Sequence, residues 1–188
     1  MPISSAPGVV SSDFNGDGAA EIALFRPPSS PWAVRGTTRI YFGGPSAVLV
    51  PADYDGDGTA EAAVFRPVNG LWAIHDLTRV YQGDFSDVAV PGDYDGDGTA
   101  EIAVFRQRTQ LWSVNRVTRI YFGAADDQPV VADYTGGGRR DFAVFRRSSG
   151  MWAVKGITRI YFGTSGDRAV PGDYDVYFGA TGDIPVTR

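Results

Sequence analysis

The sequence of 188 residues repeats itself with a period of 40 residues. An aspartate, a Phe-Arg pair, a tryptophan and a glycine each recur at this step. The aspartates that mark it are Asp13, Asp53, Asp93, Asp133 and Asp173. Such a period is typical of chains that stack one small unit of secondary structure on the next. We therefore expect one repeat domain over residues 1–188, with units that start near residues 8, 48, 88 and 128 and a truncated unit over 168–188.

Each unit contains four short segments that are rich in β-branched and aromatic residues and are separated by Gly-, Pro- and Asn-containing turns. In the third unit the predicted strands are 88–91, 101–106, 111–114 and 118–122. These segments are too short for stable helices, and the 3.6-residue periodicity of an amphipathic helix is absent from the chain. The sequence therefore predicts an all-β fold.

The second strand of the third unit is apolar on both faces. Ala103 and Phe105 lie on one face, and Ile102 and Val104 lie on the other. A strand of this kind is covered on both sides. A four-stranded antiparallel sheet of about 40 residues that packs between copies of itself is the blade of a β-propeller. We expect a β-propeller of four complete four-stranded blades plus a truncated fifth unit.

An acidic loop with the pattern D-x-[DN]-x-D-G-x-x-E opens each of the first three units. Its glycines let the chain curl, so that side-chain oxygens at positions 1, 3, 5 and 9 and the carbonyl at position 7 converge on one centre. Six or seven hard oxygen ligands suit Ca²⁺ better than Mg²⁺, and the chain has no cysteine for a Zn²⁺ site. The loops therefore predict three calcium sites. A single DGDG would often be only a turn, but three copies in register argue against that interpretation.

An EF-hand is the closest alternative for these loops, because Asp53, Asp55, Asp57 and Gly58 match the start of its calcium loop. Position 12 of an EF-hand must be a bidentate glutamate, whereas this position holds Val64 in the second loop and an aliphatic residue in the other two. The flanking residues also read as strands where an EF-hand requires helices. The sequence therefore excludes an EF-hand.

The motif YFG, followed by VPGDYDGDGTAEIAVFR, resembles the FG-GAP and VCBS-type calcium-binding propeller repeats of integrin α-subunits and bacterial surface proteins. The resemblance covers nearly the whole chain, although the unit is short for that family. The ligands that it implies, together with the position-7 carbonyls predicted above, are Asp13, Asn15, Asp17, Ala19 and Glu21; Asp53, Asp55, Asp57, Thr59 and Glu61; and Asp93, Asp95, Asp97, Thr99 and Glu101.

The fourth loop, DYTGGGRRD, has Thr135 and Gly137 where the other loops have ligands at positions 3 and 5. We expect it to bind no calcium. Arg139 and Arg140 precede its last acid, Asp141, and a cationic side chain there is expected to replace the ion electrostatically.

Half of the acidic residues of the chain, 11 of 22, lie in the three intact loops. Their mutual repulsion opposes folding without metal, so metal binding and folding are expected to be coupled. Three divalent ions would change the formal charge of −5 to +1. A chain without clustered positive charge is not expected to bind nucleic acid.

The fifth unit is incomplete. Asp133 and Tyr161 are 28 residues apart, whereas their counterparts Asp173 and Tyr177 are 4 residues apart, so 24 residues are missing. The remnant can close the ring by pairing with residues 6–10, which is the favoured arrangement. Alternatively, a neighbouring molecule completes the open blade and produces head-to-tail oligomers or filaments.

Tryptophan and arginine also recur in register. The tryptophans are expected in the core between blades, with a ring of sugar-stacking platforms as the alternative. The arginines are expected to bind carbonyls or carboxylates of the fold, with an anion or glycan clamp as the alternative. These residues are Trp32, Trp72, Trp112 and Trp152; Arg26, Arg66, Arg106 and Arg146; and Arg39, Arg79, Arg119 and Arg159.

No Ser-His-Asp arrangement, phosphate-binding loop or dinucleotide fingerprint occurs, so we expect no enzyme. The expected function is a secreted or cell-surface calcium-stabilised module for adhesion or for binding a protein or glycan. The alternatives are a structural subunit that self-assembles through its incomplete blade and a non-catalytic domain of a larger hydrolase or lectin. We expect no membrane insertion, and the N-terminal MPISSAPGVV lacks the features of a signal peptide, so a secreted form would already have lost its signal.

Overall fold

The structure is a computed structural model that describes residues 13–26, 29, 31–36 and 38–170. All regular structure in this part of the chain is β-structure, as the sequence predicts. The strands are β1 (Ala23–Phe25), β2 (Pro31–Val34), β3 (Thr38–Tyr41), β4 (Val48–Leu49), β5 (Ala63–Arg66), β6 (Leu71–Ile74), β7 (Thr78–Tyr81), β8 (Asp87–Ala89), β9 (Ala103–Arg106), β10 (Leu111–Val114), β11 (Thr118–Tyr121), β12 (Asp127–Pro129), β13 (Ala143–Arg146), β14 (Met151–Val154) and β15 (Thr158–Tyr161). Among the described residues there is no helix with the length and hydrophobicity needed to span a bilayer.

The strands form four antiparallel sheets, and each sheet contains strands that follow one another along the chain. Sheet one is β1 to β3, sheet two is β4 to β7, sheet three is β8 to β11, and sheet four is β12 to β15. The register repeats with the sequence: Phe65 lies opposite Trp72 in sheet two, and Phe105 lies opposite Trp112 in sheet three. One 40-residue unit therefore corresponds to one sheet.

The strand boundaries differ slightly from the prediction in the third unit, where 88–91 and 101–106 were expected. The observed strands are β8 and the shorter β9. Beyond β8 the ladder continues only with the bond from the N–H of Val90 to the carbonyl oxygen of Ala103 and with a single bridge between Gly92 and Glu101. The ninth loop residue therefore lies two residues before the second strand of its sheet, not at its first position.

Consecutive sheets pack face to face through the second strand of each unit. Ile102 and Val104 of the third unit belong to the same core cluster as Phe65 and Trp72 of sheet two. Phe105, on the opposite face, belongs to the cluster that contains residues of sheet four. The prediction that this strand is covered on both sides is confirmed.

The recurrent tryptophans lie in these cores. Trp32, Trp72 and Trp112 are at most 2% exposed, and each packs at a tilt against the phenylalanine opposite it. Each indole Nε1 donates a hydrogen bond to the carbonyl oxygen ten residues later, as in the 2.9 Å bond from Trp112 to Phe122. Burial of these three rings confirms the core role and removes them as sugar-stacking platforms.

The arginine after each of the later phenylalanines binds groups of the fold. Arg106 makes two 2.8 Å bonds to the buried carboxylate of Asp87, and Arg146 binds Asp127 at 2.7 and 3.0 Å. Arg66, whose unit has alanine at the aspartate position, donates to a backbone carbonyl at 3.0 Å. The structural role expected for these three arginines is confirmed.

The sheets form an open series in the part of the chain that the structure describes. No core cluster among these residues joins sheet four to sheet one. The segments expected to close the ring are residues 6–10 and 168–188, and of these only residues 168–170 lie within the described residues. Closure into a propeller therefore stays a prediction.

Replacing Phe105 by alanine is expected to lower the free energy of unfolding by about 3–5 kcal/mol, because a fully buried ring between two sheets leaves a cavity. The matched substitution Tyr121→Ala removes a ring that is 74% exposed and should change the free energy by no more than about 0.5 kcal/mol. Urea unfolding in excess Ca²⁺ measures both values. Equal losses would contradict the packing described above.

Candidate metal centres

The four acidic loops share one backbone shape that the first aspartate organises. In the second loop, Oδ1 of Asp53 accepts a bond from the N–H of Gly56 at 2.6 Å, and Oδ2 accepts one from Gly58 at 2.9 Å. Both glycines have positive φ, 78° and 88°, which other residues adopt only with strain. The glycines of the motif therefore let the loop wrap around its own first carboxylate.

The ninth residue folds back onto the start of the loop. Oε2 of Glu61 accepts a hydrogen bond from the N–H of Tyr54 at 2.7 Å, and Glu101 does the same with Tyr94 at 2.8 Å. In the first loop Glu21 accepts from the second loop residue at 2.6 Å. This bond brings position 9 beside positions 1, 3 and 5.

Carboxylates predicted as ligands meet in each of the first three loops. One oxygen from each acid lies within 4.8 Å of those of the others in its cluster. An oxygen shell around Ca²⁺, with bonds of 2.3–2.6 Å, is about 4.6–5.2 Å across, so one ion can reach all members of a cluster. The clusters are Asp13, Asp17 and Glu21; Asp53, Asp55, Asp57 and Glu61; and Asp93, Asp95, Asp97 and Glu101.

The other predicted ligands lie in the same loops. Asn15 accepts a 2.8 Å bond from the N–H of Asp17, and its amide donates to Glu21 at 2.6 Å. Ala19, Thr59 and Thr99 donate their N–H groups to the fifth-position carboxylate at 2.8–2.9 Å. Use of their carbonyls as ligands stays a prediction.

The fourth loop keeps the shape of the other loops although it lacks the ligand residues at positions 3 and 5. Asp133 accepts bonds from Gly137 and Gly138, and Asp141 accepts one from Tyr134 at 2.9 Å. Thr135 bonds to the first carboxylate in place of a third acid. Three acidic clusters in the described chain could thus hold a metal ion, and this loop is not among them.

Arg139 and Arg140 lie elsewhere than predicted. Their side-chain stems cover Gly96 and Gly92 of the third unit, so closely that a Cβ on either glycine would come within 2.7 Å of an arginine carbon. Neither arginine forms an ion pair with a carboxylate of the fourth loop in the described structure. The expectation that they replace the ion is wrong, because the sheet packing directs both stems toward the preceding unit.

Neighbouring loops also contact each other through their backbones. The N–H of the eighth loop residue donates to the carbonyl oxygen of the first aspartate in the preceding loop, at 2.6–2.7 Å. The three pairs are Ala60 to Asp13, Ala100 to Asp53 and Arg140 to Asp93. The candidate centres therefore form one row of connected loops.

A tyrosine that the sequence analysis did not single out anchors three of the loops; it is buried in the second and third loops and partly buried in the fourth. The hydroxyl of Tyr54 donates to the carbonyl of Val50 at 2.6 Å, and Tyr94 and Tyr134 make the same bond in their units. Burial raises the pKa of each phenol, so the donor stays protonated. The available signal was an aromatic residue at position 2 of every loop.

The ninth-position acids of the second and third loops have raised pKa values when no cation is bound. Burial raises the pKa of Glu101 to about 7, and the charges of Asp95, Asp93 and Asp97 add to this effect while a backbone hydrogen bond opposes it. The pKa of Glu61 is raised for the same reasons. Ionisation of the ninth-position acid is therefore unfavourable in the second and third loops when they hold no cation.

Comparisons with protein-family models, curated proteins and solved structures returned no match to this chain.

The stability of the metal-free protein is expected to fall as the pH rises from 4.5 to about 7. Glu101 holds its proton more tightly when folded than its ordinary pKa of 4.5 allows, so ionisation favours the unfolded chain across this window. Thermal melts of chelator-treated, dialysed protein at pH 5, 6, 7 and 8 measure the decline. Glu101→Gln should make the decline shallower, whereas Asp126→Asn, at an exposed acid outside the loops, should leave it unchanged. An equal decline in both variants would contradict this assignment.

Proposed function

We propose that this chain is a non-catalytic, calcium-stabilised β-propeller module that acts outside the cell or at its surface in adhesion or ligand binding. The observation that carries the proposal is the set of three acidic clusters, repeated in register and each compact enough for one ion. Weak calcium sites suit extracellular conditions, where the ion is abundant. The resemblance to FG-GAP and VCBS-type repeats supports the compartment and the role.

Calcium is the favoured ion because every predicted donor is an oxygen. Each loop offers carboxylates together with a backbone carbonyl, and the second and third loops each bring four acids together. This set matches the high coordination number and flexible geometry of Ca²⁺ better than the strict octahedron of Mg²⁺. A bound cation would also offset the mutual repulsion of the carboxylates within each cluster.

The propeller arrangement is supported by the way the sheets follow one another. Sheets two and three each present one face to the preceding sheet and the opposite face to the next. Identical units with identical contacts accumulate a constant rotation, which is the basis of a radial array.

Exposed tyrosines are better candidates for ligand contact than the buried tryptophans. The last strand of each sheet ends in a tyrosine that is 73–76% exposed, and an arginine lies two residues before this tyrosine. Aromatic rings and arginines together suit contact with sugars or with a protein surface. The tyrosines are Tyr41, Tyr81, Tyr121 and Tyr161. We propose no nucleic-acid binding and no membrane insertion.

Calcium is expected to raise the melting temperature, and titration calorimetry should find about three ions per chain. Asp97→Asn removes one carboxylate of the third cluster and should reduce the number of ions to two, while the exposed Asp76→Asn leaves it at three. An unchanged melting temperature after removal of calcium would reject the calcium assignment.

The ligand proposal is tested on a glycan array and with candidate surface proteins in excess Ca²⁺. The wild type should give a signal at least tenfold above background. The double variant Tyr81→Ala and Tyr121→Ala should lose that signal without a lower melting temperature, since both rings are exposed. Val68→Ala, at an exposed turn residue, is the matched control. Binding that survives the double substitution would place the ligand away from the tyrosine row.

A further inference from the structure

Apolar side chains are exposed at both ends of the sheet series. At the start, Ile22 and Leu24 are 64% and 59% exposed and form what we call the leading patch. At the end, Ile160 and Phe162 are 37% and 77% exposed, and with the exposed Gly163 they form the trailing patch. Deeper residues of sheet four are already buried, so the trailing patch is confined to its last strand and the residues that follow.

In the interior units, the residues that correspond to the leading patch pack over the residues that correspond to the trailing patch. Val64, the counterpart of Leu24, is 1% exposed and packs in the cluster that contains Ile40 and Phe42, the counterparts of the trailing patch. A Cβ on Gly43 would lie only 3.1 Å from Val64. The contact recurs at 3.0 and 3.3 Å in the pairs Gly83 with Val104 and Gly123 with Val144. The leading position of each unit therefore covers the trailing position of the unit before it.

We infer that the leading patch of one copy of this chain covers the trailing patch of a second copy. Leu24 of one molecule then lies over Phe162 and Gly163 of the other, as Val64 lies over Phe42 and Gly43 within the chain. The contact reuses an interface that the chain already forms three times. It is heterologous, because two different surfaces meet.

The chain's own fifth unit does not carry the residues that this contact needs. Its 24 missing residues lie between Asp175 and Val176. By the 40-residue period, the counterparts of Ile22, Leu24 and Ala33 fall within that gap. In the interior interfaces these positions, such as Ala62, Val64 and Ala73, form the covering face. A second copy supplies them, whereas residues 171–188 do not.

The acidic loops indicate the same junction. Thr59 and Thr99 contact the fourth-position glycines Gly16 and Gly56, where a Cβ would meet them at 3.0 Å. The equivalent Gly136 of the fourth loop faces open space. A second copy's first loop, with Ala19 at the position of Thr59, would complete the row there.

Two copies joined in this way at both ends form a closed ring of eight sheets. Propellers typically contain four to eight blades, and three copies would exceed that range. We therefore expect a closed dimer, not a filament. This inference rests on the proposed propeller arrangement but does not depend on which ligand the module binds.

Size-exclusion chromatography with light scattering in excess Ca²⁺ tests the inference. The expected mass is twice the 20.2 kDa of one chain. Leu24→Glu and Phe162→Glu each place a charge in the contact and should each yield the single-chain mass. Val68→Glu alters an equally exposed apolar residue in the turn between β5 and β6 and should stay dimeric. A double variant that carries both Leu24→Lys and Phe162→Glu should form the dimer again, because the lysine of one copy then meets the glutamate of the other.

A wild-type protein that elutes with the mass of one chain at every concentration would overturn the inference and favour closure within the chain. A dimer that survives both glutamate substitutions would overturn the assigned patches. A mass that grows with concentration would overturn the closed ring. Because the substituted residues are exposed within one chain, each variant should still unfold cooperatively; the two variants that break the dimer should melt below the wild type, and Val68→Glu should match it. The calcium-dependent rise in melting temperature, measured on Leu24→Glu, separates failure here from failure of the calcium assignment.

Discussion

The close packing of one sheet on the next through the second strand of each unit organises the rest of the structure. A valine on this strand approaches a glycine of the preceding unit so closely that a Cβ there would come within 3.0–3.3 Å, as for Val64, Val104 and Val144. The phenylalanine on the opposite face packs with its own tryptophan under the following sheet. Because both faces are buried, no unit can satisfy its apolar surface alone.

The packing of the sheets also positions the acidic loops. The first aspartate shapes each loop from within, and its backbone carbonyl accepts a bond from the next loop. A tyrosine hydroxyl in each of three loops donates to the carbonyl oxygen of the residue that follows the preceding strand. The carboxylates are consequently held together even though they repel one another, and this repulsion adds to the burial that raises the pKa of Glu101. Binding of a cation would relieve it, which couples the loops to the stability of the stack.

The same packing explains why apolar side chains are exposed on the first and last sheets. A chain that buries both faces of every interior sheet leaves one face uncovered at each end, unless another element packs there. Leu24 and Phe162 are exposed although their interior counterparts are wholly or partly buried. Assembly between copies would therefore extend a packing rule that already operates within the chain.

Much of this structure could be predicted from residue spacing alone. The 40-residue period and the alternation of Ala103, Val104 and Phe105 predicted sheets covered on both sides, because side chains on a strand point alternately to opposite faces. The D-x-[DN]-x-D-G-x-x-E pattern predicted which acids converge and which loop lacks them, since glycines dictate how a loop can curl.

Only the tertiary structure decided where long side chains end. Arg139 and Arg140 lie against the preceding unit, although their sequence position suggested their own loop, because the direction of a stem depends on how the sheets are stacked. The exposure of Leu24, in a position that is buried in every other complete unit, was likewise invisible in a repeating sequence. Units with the same sequence pattern differ in which sheets pack against them, and that is decided only when the chain folds.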